Sequence, residues 1–201
     1  MMIQKVTEPF PHLIIEDFYD QEELKLVWRE LDFLTSPNIL LPANLDGSAY
    51  SANALSLSLE GVYRDTNYSN IQRTHNNKIL SKDIKDSFAE LTPFHNHINS
   101  INKLNIKLKY YEDGHNYPKH LDYARFTGIS YLYKEPKMFE GGDLYFNDFD
   151  YRINIKNNMF ILFMGAFHHS VEPIKLKQDA YITGNGRYSI TTFLDLDESI
   201  R

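Results

Sequence analysis

Apolar positions recur in two rhythms along these 201 residues, and the rhythm changes near residue 103. Leu13-Ile14-Ile15 follows two prolines and predicts a short opening strand. Asp20, with Glu22 and Glu23 just behind it, predicts a helix start, since a side-chain oxygen caps free N–H groups and acids suit the positive helix end. Leu24, Trp28, Leu31 and Leu34 recur at helical spacing, so 21–34 reads as an amphipathic helix with its apolar stripe in the core. From Thr35 to about Asn77 the periodicity fades, and Ser36-Pro37-Asn38 and Leu45-Asp46-Gly47 read as loop. A stretch of this length with little regular structure predicts a substrate-covering loop or a disordered insert, and Tyr50, Tyr63 and Tyr68 favour an ordered surface. A second helix is predicted from Ser81, with Ile84, Phe88 and Leu91 on one face, resuming after Pro93 toward Ile101.

Beyond Lys103 the pattern shortens to β-rich segments at 104–111, 117–122, 127–134, 143–146, 151–155, 159–164, 169–174 and 186–194. Turn signals separate them, among them Glu112-Asp113-Gly114, Glu140-Gly141-Gly142 and Gly184-Asn185-Gly186. The expected fold is mostly β with supporting helices. Residues 1–103 form a helical support layer with a long loop, 104–196 form a jelly-roll core, and 1–201 make a single domain.

Composition narrows the chemistry. There is no cysteine, which excludes a disulfide scaffold, a thiolate zinc site and a cysteine nucleophile, so any metal must be held by His and carboxylate. The net charge of −6 argues against a phosphate-neutralising footprint, and no nucleic-acid partner is expected. The opening MMIQKVTEPFPHLII lacks the apolar core of a signal peptide, and the apolar run Met159 to Phe167 is too short to cross a bilayer. No membrane association and a cytoplasmic location are expected; oligomeric state is not legible.

His120-Leu-Asp122 joins spacing to chemistry, because side chains at i and i+2 of a strand share a face and present one imidazole beside one carboxylate. A third ligand is sought in His168-His169-Ser170-Val171-Glu172-Pro173, where either histidine is available. Arg187 opens the last β-rich run, and by alternation Arg187, Ser189 and Thr191 share one face. If that face is the inner one, the guanidinium requires a carboxylate partner. His95-Asn-His97 has the i, i+2 spacing but no carboxylate in register, and His12, His75 and His115 read as solvent-facing or locally satisfied.

In this order the motifs resemble the 2-oxoglutarate- and Fe(II)-dependent dioxygenases, specifically the prolyl 4-hydroxylase-like branch. The residues are Tyr111-Glu-Asp-Gly114, His120-Leu-Asp122, Gly141-Gly142-Asp143-Leu144, His169-Ser-Val171-Glu-Pro173 and Arg187-Tyr-Ser189, spread over roughly 104–196, with a weaker likeness from Pro11 to Leu34. The resemblance implies His120, Asp122 and His169 as metal ligands, its register choosing His169 over His168. It implies Arg187 on the distal carboxylate of 2-oxoglutarate, helped by Ser189 and Tyr131, with Tyr111 in the pocket wall. The implied cofactors are Fe(II), 2-oxoglutarate and O2, with ascorbate as a candidate reductant. Two imidazoles and one carboxylate leave metal positions open for a bidentate 2-oxo acid and then O2, and Arg187 brings the formal charge of the loaded site to zero.

The activity implied is hydroxylation of a prolyl or similar C–H in a peptide or protein, with release of succinate and CO2. A small-molecule or free amino acid hydroxylase with the same core, and a non-catalytic jelly-roll binding module, are the alternatives. The retained Asp122 argues against a halogenase. Phe193, where base-demethylating relatives carry a second arginine, argues against DNA repair. Specificity is expected from the loop 36–77, as a lid over the barrel mouth, and from the turns at 134–140 and 175–185.

Overall fold

The computed structural model describes residues 1–36, 39–46, 52–177 and 183–197. Its strands are β1 (Met2–Val6), β2 (His12–Glu16), β3 (Leu41–Pro42), β4 (Leu55–Ser58), β5 (Lys103–Tyr111), β6 (Tyr117–His120), β7 (Phe126–Leu132), β8 (Phe139–Gly141), β9 (Leu144–Phe146), β10 (Tyr151–Ile153), β11 (Met159–Met164), β12 (His169–Val171), β13 (Ile174–Leu176) and β14 (Arg187–Asp195). The helices are α1 (Gln21–Leu34), α2 (Leu59–Val62), α3 (Asn70–Ile79) and α4 (Lys82–Ala89), with 3-10 turns between them, the longest at Pro93–Ser100. An eight-stranded sheet in the order β1-β2-β11-β7-β14-β5-β4-β3 faces a four-stranded sheet, β10-β9-β12-β6, and a two-stranded one, β13-β8. This is the jelly-roll core with helical support that the sequence predicts.

The large sheet divides the apolar residues by strand alternation. Ile106, Leu108 and Tyr110 of β5, Tyr188, Ile190 and Leu194 of β14, and Phe160 and Leu162 of β11 turn toward the helices and pack with Val27, Leu31, Leu34, Ile84 and Phe88. The intervening residues, including Tyr111, Ile129, Tyr131, Ile161 and Phe163, turn inward and pack with Leu144, Phe146 and Val171 of the small sheet. Burying both faces of one sheet separates a structural core from an inner cavity.

Helix α1 starts as its sequence predicts. Asp20 accepts from the Glu23 backbone N–H at 2.9 Å, and the Glu23 carboxylate accepts from the Asp20 N–H at 2.8 Å, a reciprocal capping box. The glycine pair at 141–142 lies at φ 72° and 74°. A Cβ on Gly141 would stand 2.2 Å from the Pro173 carbonyl, so only glycine lets β8 and β13 approach as they do.

The stretch 35–77 differs from the expected loop. β4 adds an edge to the large sheet beside β5, in the register Leu55↔Tyr110 to Ser58↔Lys107, and α3 packs on α1. The buried Glu30 carboxylate accepts from Ser69 Oγ at 2.7 Å and from the Ile71 N–H at 2.9 Å, anchoring the start of α3. A four-residue strand paired with a segment fifty residues away leaves no local period, which is why the sequence pattern misses it. Pro37, Asn38, Gly47 and Tyr50 lie outside the described residues, as does most of the turn 175–185 (178–182). No described helix is long and apolar enough to cross a membrane.

Candidate active site

His120 closes β6 and His169 opens β12, and the two are direct antiparallel partners with ring centroids 4.3 Å apart. Each ring is fixed by the same local device. Nδ1 of His120 donates to the Pro118 carbonyl and Nδ1 of His169 to the Phe167 carbonyl, both at 2.9 Å. A carbonyl can only accept, so the proton sits on Nδ1 and each Nε2 offers a lone pair.

Asp122 meets both lone pairs. Its Oδ1 lies 3.7 Å from His120 Nε2 and its Oδ2 lies 3.6 Å from His169 Nε2, and the three ligand atoms fall within 4.8 Å of one another. The expectation that strand alternation aligns His120 with Asp122 needs correction, because β6 ends at His120. Asp122 is instead set by the turn that follows: its N–H donates to the Gly165 carbonyl at 2.9 Å, and its Oδ2 accepts from Thr127 Oγ1 at 2.6 Å. A Cβ at Gly165 would stand 2.3 Å from the Ala124 carbonyl, so this close approach also depends on glycine. Burial, and for His120 also the neighbouring His169, lowers both imidazole pKa values, His120 to about 4. Both rings are therefore neutral at pH 7, the protonation state a cation needs.

His168 stands apart. It is partly exposed and bound through Nδ1 and its backbone N–H to Asp148.

The triad opens into an inner cavity walled by Tyr111, Tyr131, Leu144, Arg187, Ser189 and Thr191. Arg187, Ser189 and Thr191 thus share the inward face, as alternation requires. Arg187 is fully buried. Its Nη1 donates to the Gly142 carbonyl at 2.8 Å, while Nε and Nη2 have no partner. The guanidinium carbon lies 4.1 Å from the Tyr111 ring centroid and 5.2 Å from that of Tyr131. The Tyr131 hydroxyl is also buried without a partner. Among the described residues no carboxylate lies within 4.0 Å of this guanidinium, so its two unpartnered N–H groups suit an anion brought in by a ligand. A dianion such as 2-oxoglutarate fits these orphaned donors chemically. The cavity's open core is about 20 Å³, room for one water, so a five-carbon diacid fits only when the lining side chains draw back.

Residues 106–195 match the model of the 2OG-Fe(II) oxygenase superfamily. That segment holds the triad and Arg187. The match supports an oxygenase of this class, and the matched family implies Fe(II), 2-oxoglutarate and O2 as cofactors. The fold is similar to that of a Pseudomonas putida prolyl-4-hydroxylase, at 14% identity over 92% of each chain with a TM-score of 0.62. A 2OG-Fe(II) oxygenase family oxidoreductase from Burkholderia pseudomallei shares 13% identity over 92% of this chain and 85% of its own, with a TM-score of 0.58. A viral collagen prolyl hydroxylase from Paramecium Bursaria Chlorella virus-1 shares 15% identity over 91% and 94%, with a TM-score of 0.51. No curated protein matches the sequence.

Other histidines leave the list of candidates. His95 is buried and stacked on Phe88, with centroids 4.2 Å apart. His12 and His75 are buried rather than solvent-facing, His75 bonded to the Tyr19 hydroxyl at 2.6 Å. The described part of 36–77 lines neither the cavity nor the groove outside it; it borders the groove through Asp46, which accepts from Lys107, and through the pairing of β4 with Lys107 and Lys109 of β5. The turn 134–140 lines neither.

Two residues of the oxygenase site were missed by sequence reasoning. Thr127, which steadies Asp122, carries no sequence signal. Lys109 is 6% exposed on the cavity wall, and alternation along β5 from Tyr111 places it there.

Proposed function

We propose that the chain hydroxylates a prolyl or related C–H in a peptide or protein, using Fe(II), 2-oxoglutarate and O2. His120, Asp122 and His169 would hold the iron, and Arg187, Tyr131, Ser189 and Tyr111 the cosubstrate. The observation carrying this reading is the opening of a His-Asp-His cluster into the same cavity as a buried arginine with two unpartnered N–H groups. Bound Fe(II) supplies the O2 chemistry that converts 2-oxoglutarate to succinate and CO2 while a substrate C–H becomes C–OH.

The protein's share is placement. The Nδ1 bonds to Pro118 and Phe167 hold two lone pairs toward one point, and Thr127 turns the Asp122 carboxylate to meet them. Arg187, flanked by two aromatic faces, is shaped for a forked contact to a carboxylate at the closed end. Leu144, Ile129 and Val171 keep that end dry, which strengthens each charged contact.

The test is succinate formation from 2-oxoglutarate with Fe(II) against a library of proline-containing peptides, with mass spectrometry of the products. A gain of one oxygen on proline supports the reading. Turnover with free amino acids and none with peptides would replace it by the small-molecule alternative.

A further inference from the structure

Residues 103, 105, 107, 109 and 111 of β5 alternate onto the inner face of the large sheet, opposite Asp195, Phe193, Thr191, Ser189 and Arg187 of β14. Read outward from Arg187, this face turns from cavity into groove at Lys109, which borders both. The groove measures about 950 Å³ and begins at His120 and Asp122. Lys103, Lys107 and Lys109 line one side and Lys119 of β6 another, against two aspartates, Asp122 and Asp195. In a chain of net charge −6, cationic side chains gather where a substrate must approach.

Nearby carboxylates account for only part of this charge. Lys107 Nζ lies 3.6 Å from Asp46 Oδ1, Lys119 Nζ lies 4.0 Å from Asp148 Oδ1, and Asp195 is engaged by Arg125 at 3.3 Å. Among the described residues no carboxylate lies within 4.0 Å of the ammonium of Lys103 or Lys109. Lys109 is the telling case: it is 6% exposed, and its ammonium rests on the Tyr117 ring, 4.0 Å from the centroid. An ammonium this far from water is costly to keep charged, and the Asp122 and Asp46 carboxylates, both more than 4.0 Å away, offset only part of that cost, so an anion brought into contact with it is favoured.

We propose that the groove takes an acidic stretch of polypeptide whose carboxylates lie on either side of the C–H to be hydroxylated and meet Lys109, Lys107 and Lys103 in turn. This rests on the peptide-hydroxylase reading above and adds the chemical class of the peptide. From Lys103 to Lys109 is six strand steps, roughly 20 Å at the usual rise, or about six extended residues of a partner. A free amino acid reaches no more than one or two of these lysines. Tyr123, 98% exposed beside Asp122 on the same groove, offers an aromatic face to the residue between the acids.

The experiment uses short labelled peptides with one central proline flanked by Glu, Gln or Lys. Their binding to the Mn(II)- and 2-oxoglutarate-loaded protein is measured by fluorescence anisotropy, and their hydroxylation with Fe(II) by mass. The Glu peptide is expected to bind at least tenfold tighter than the Gln peptide, an advantage that shrinks as salt rises. In K103Q/K107Q/K109Q the Glu-to-Gln affinity ratio should fall toward one. The milder K103Q/K119Q variant, changed only at exposed lysines, should reduce it if the triple variant does not fold.

Equal binding of Glu and Gln peptides, or a ratio that both variants leave unchanged, overturns the proposal. So does displacement of the Glu peptide by an equal concentration of free glutamate or of a single-stranded oligonucleotide, or failure of every peptide to bind. Selective binding of the Glu peptide without hydroxylation upholds the acidic groove and removes the prolyl reading. Equal hydroxylation of neutral and acidic peptides does the reverse.

Discussion

His120 and His169 face each other across the β6–β12 ladder, and each donates its Nδ1 proton to the carbonyl two residues before it. The two rings are thereby fixed alike, and the Asp122 carboxylate closes the gap between their Nε2 atoms. Metal affinity should follow this geometry. Asp122→Ala and His169→Ala should each weaken Mn(II) or Fe(II) binding by well over ~100-fold, beyond the usual effect of an outer-shell change. His168→Ala should have little effect, since that ring is turned to Asp148. Calorimetric titration of metal decides it, and equal losses from His168→Ala and His169→Ala would remove the assignment.

Thr127→Val should cost about 10-fold in metal affinity. It keeps the volume and removes the 2.6 Å bond that orients Asp122. The same titration reads it, and an unchanged affinity would mean that the turn at Gly165 alone sets the carboxylate.

Arg187→Ala should raise the 2-oxoglutarate requirement by tens of fold or more, since losing one side of a buried forked contact costs on the order of 2–5 kcal/mol. Arg187→Lys should recover part, keeping the charge without the fork. The alanine variant also loses the Gly142 bond and the contacts with the Tyr111 and Tyr131 rings, so it should melt somewhat earlier than the parent and gain less from added cosubstrate. Cosubstrate titration into the metal-loaded variant and melts with and without cosubstrate test both halves.

The segment 52–79 should matter for folding before it matters for specificity. Ile71 and Ile79 are fully buried, and Glu60 accepts from the Ile106 N–H at 2.7 Å, tying α2 to β5. Ile71→Ala should cost about 2–5 kcal/mol, read by urea unfolding. Deleting the segment should leave no stable protein. A deletion variant that still bound metal and 2-oxoglutarate would restore the segment to the role of a dispensable lid.

Acid should destabilise the fold partly through His75. Burial lowers its pKa to about 3, below the 6.5 of an exposed histidine, so the unfolded chain takes up the proton first. The contribution is complete above pH 6.5 and is lost as pH falls toward 3, at up to about 1.4 kcal/mol per pH unit. His75→Phe should flatten the acid limb of stability against pH; an unaltered limb would place the sensitivity elsewhere.

The sequence by itself determined what depends on near neighbours. Short β-rich segments between turn signals mark β5, β7, β11 and β14, Asp20 with Glu23 marks the start of α1, and the order of His120, Asp122, His169 and Arg187 carries the chemistry. Tertiary structure decided what depends on distant partners. Only the β6–β12 register brings His169 to His120, and only the approach of Gly165 sets Asp122 beyond the end of its strand. Only the pairing of β4 with β5 turns an apparent loop into a sheet edge. Lys109 shows the difference within one residue. Its face of β5 follows from alternation, but the burial of its ammonium against the Tyr117 ring arises only when β14 and the small sheet close over it, because burial belongs to the surroundings and not to the residue.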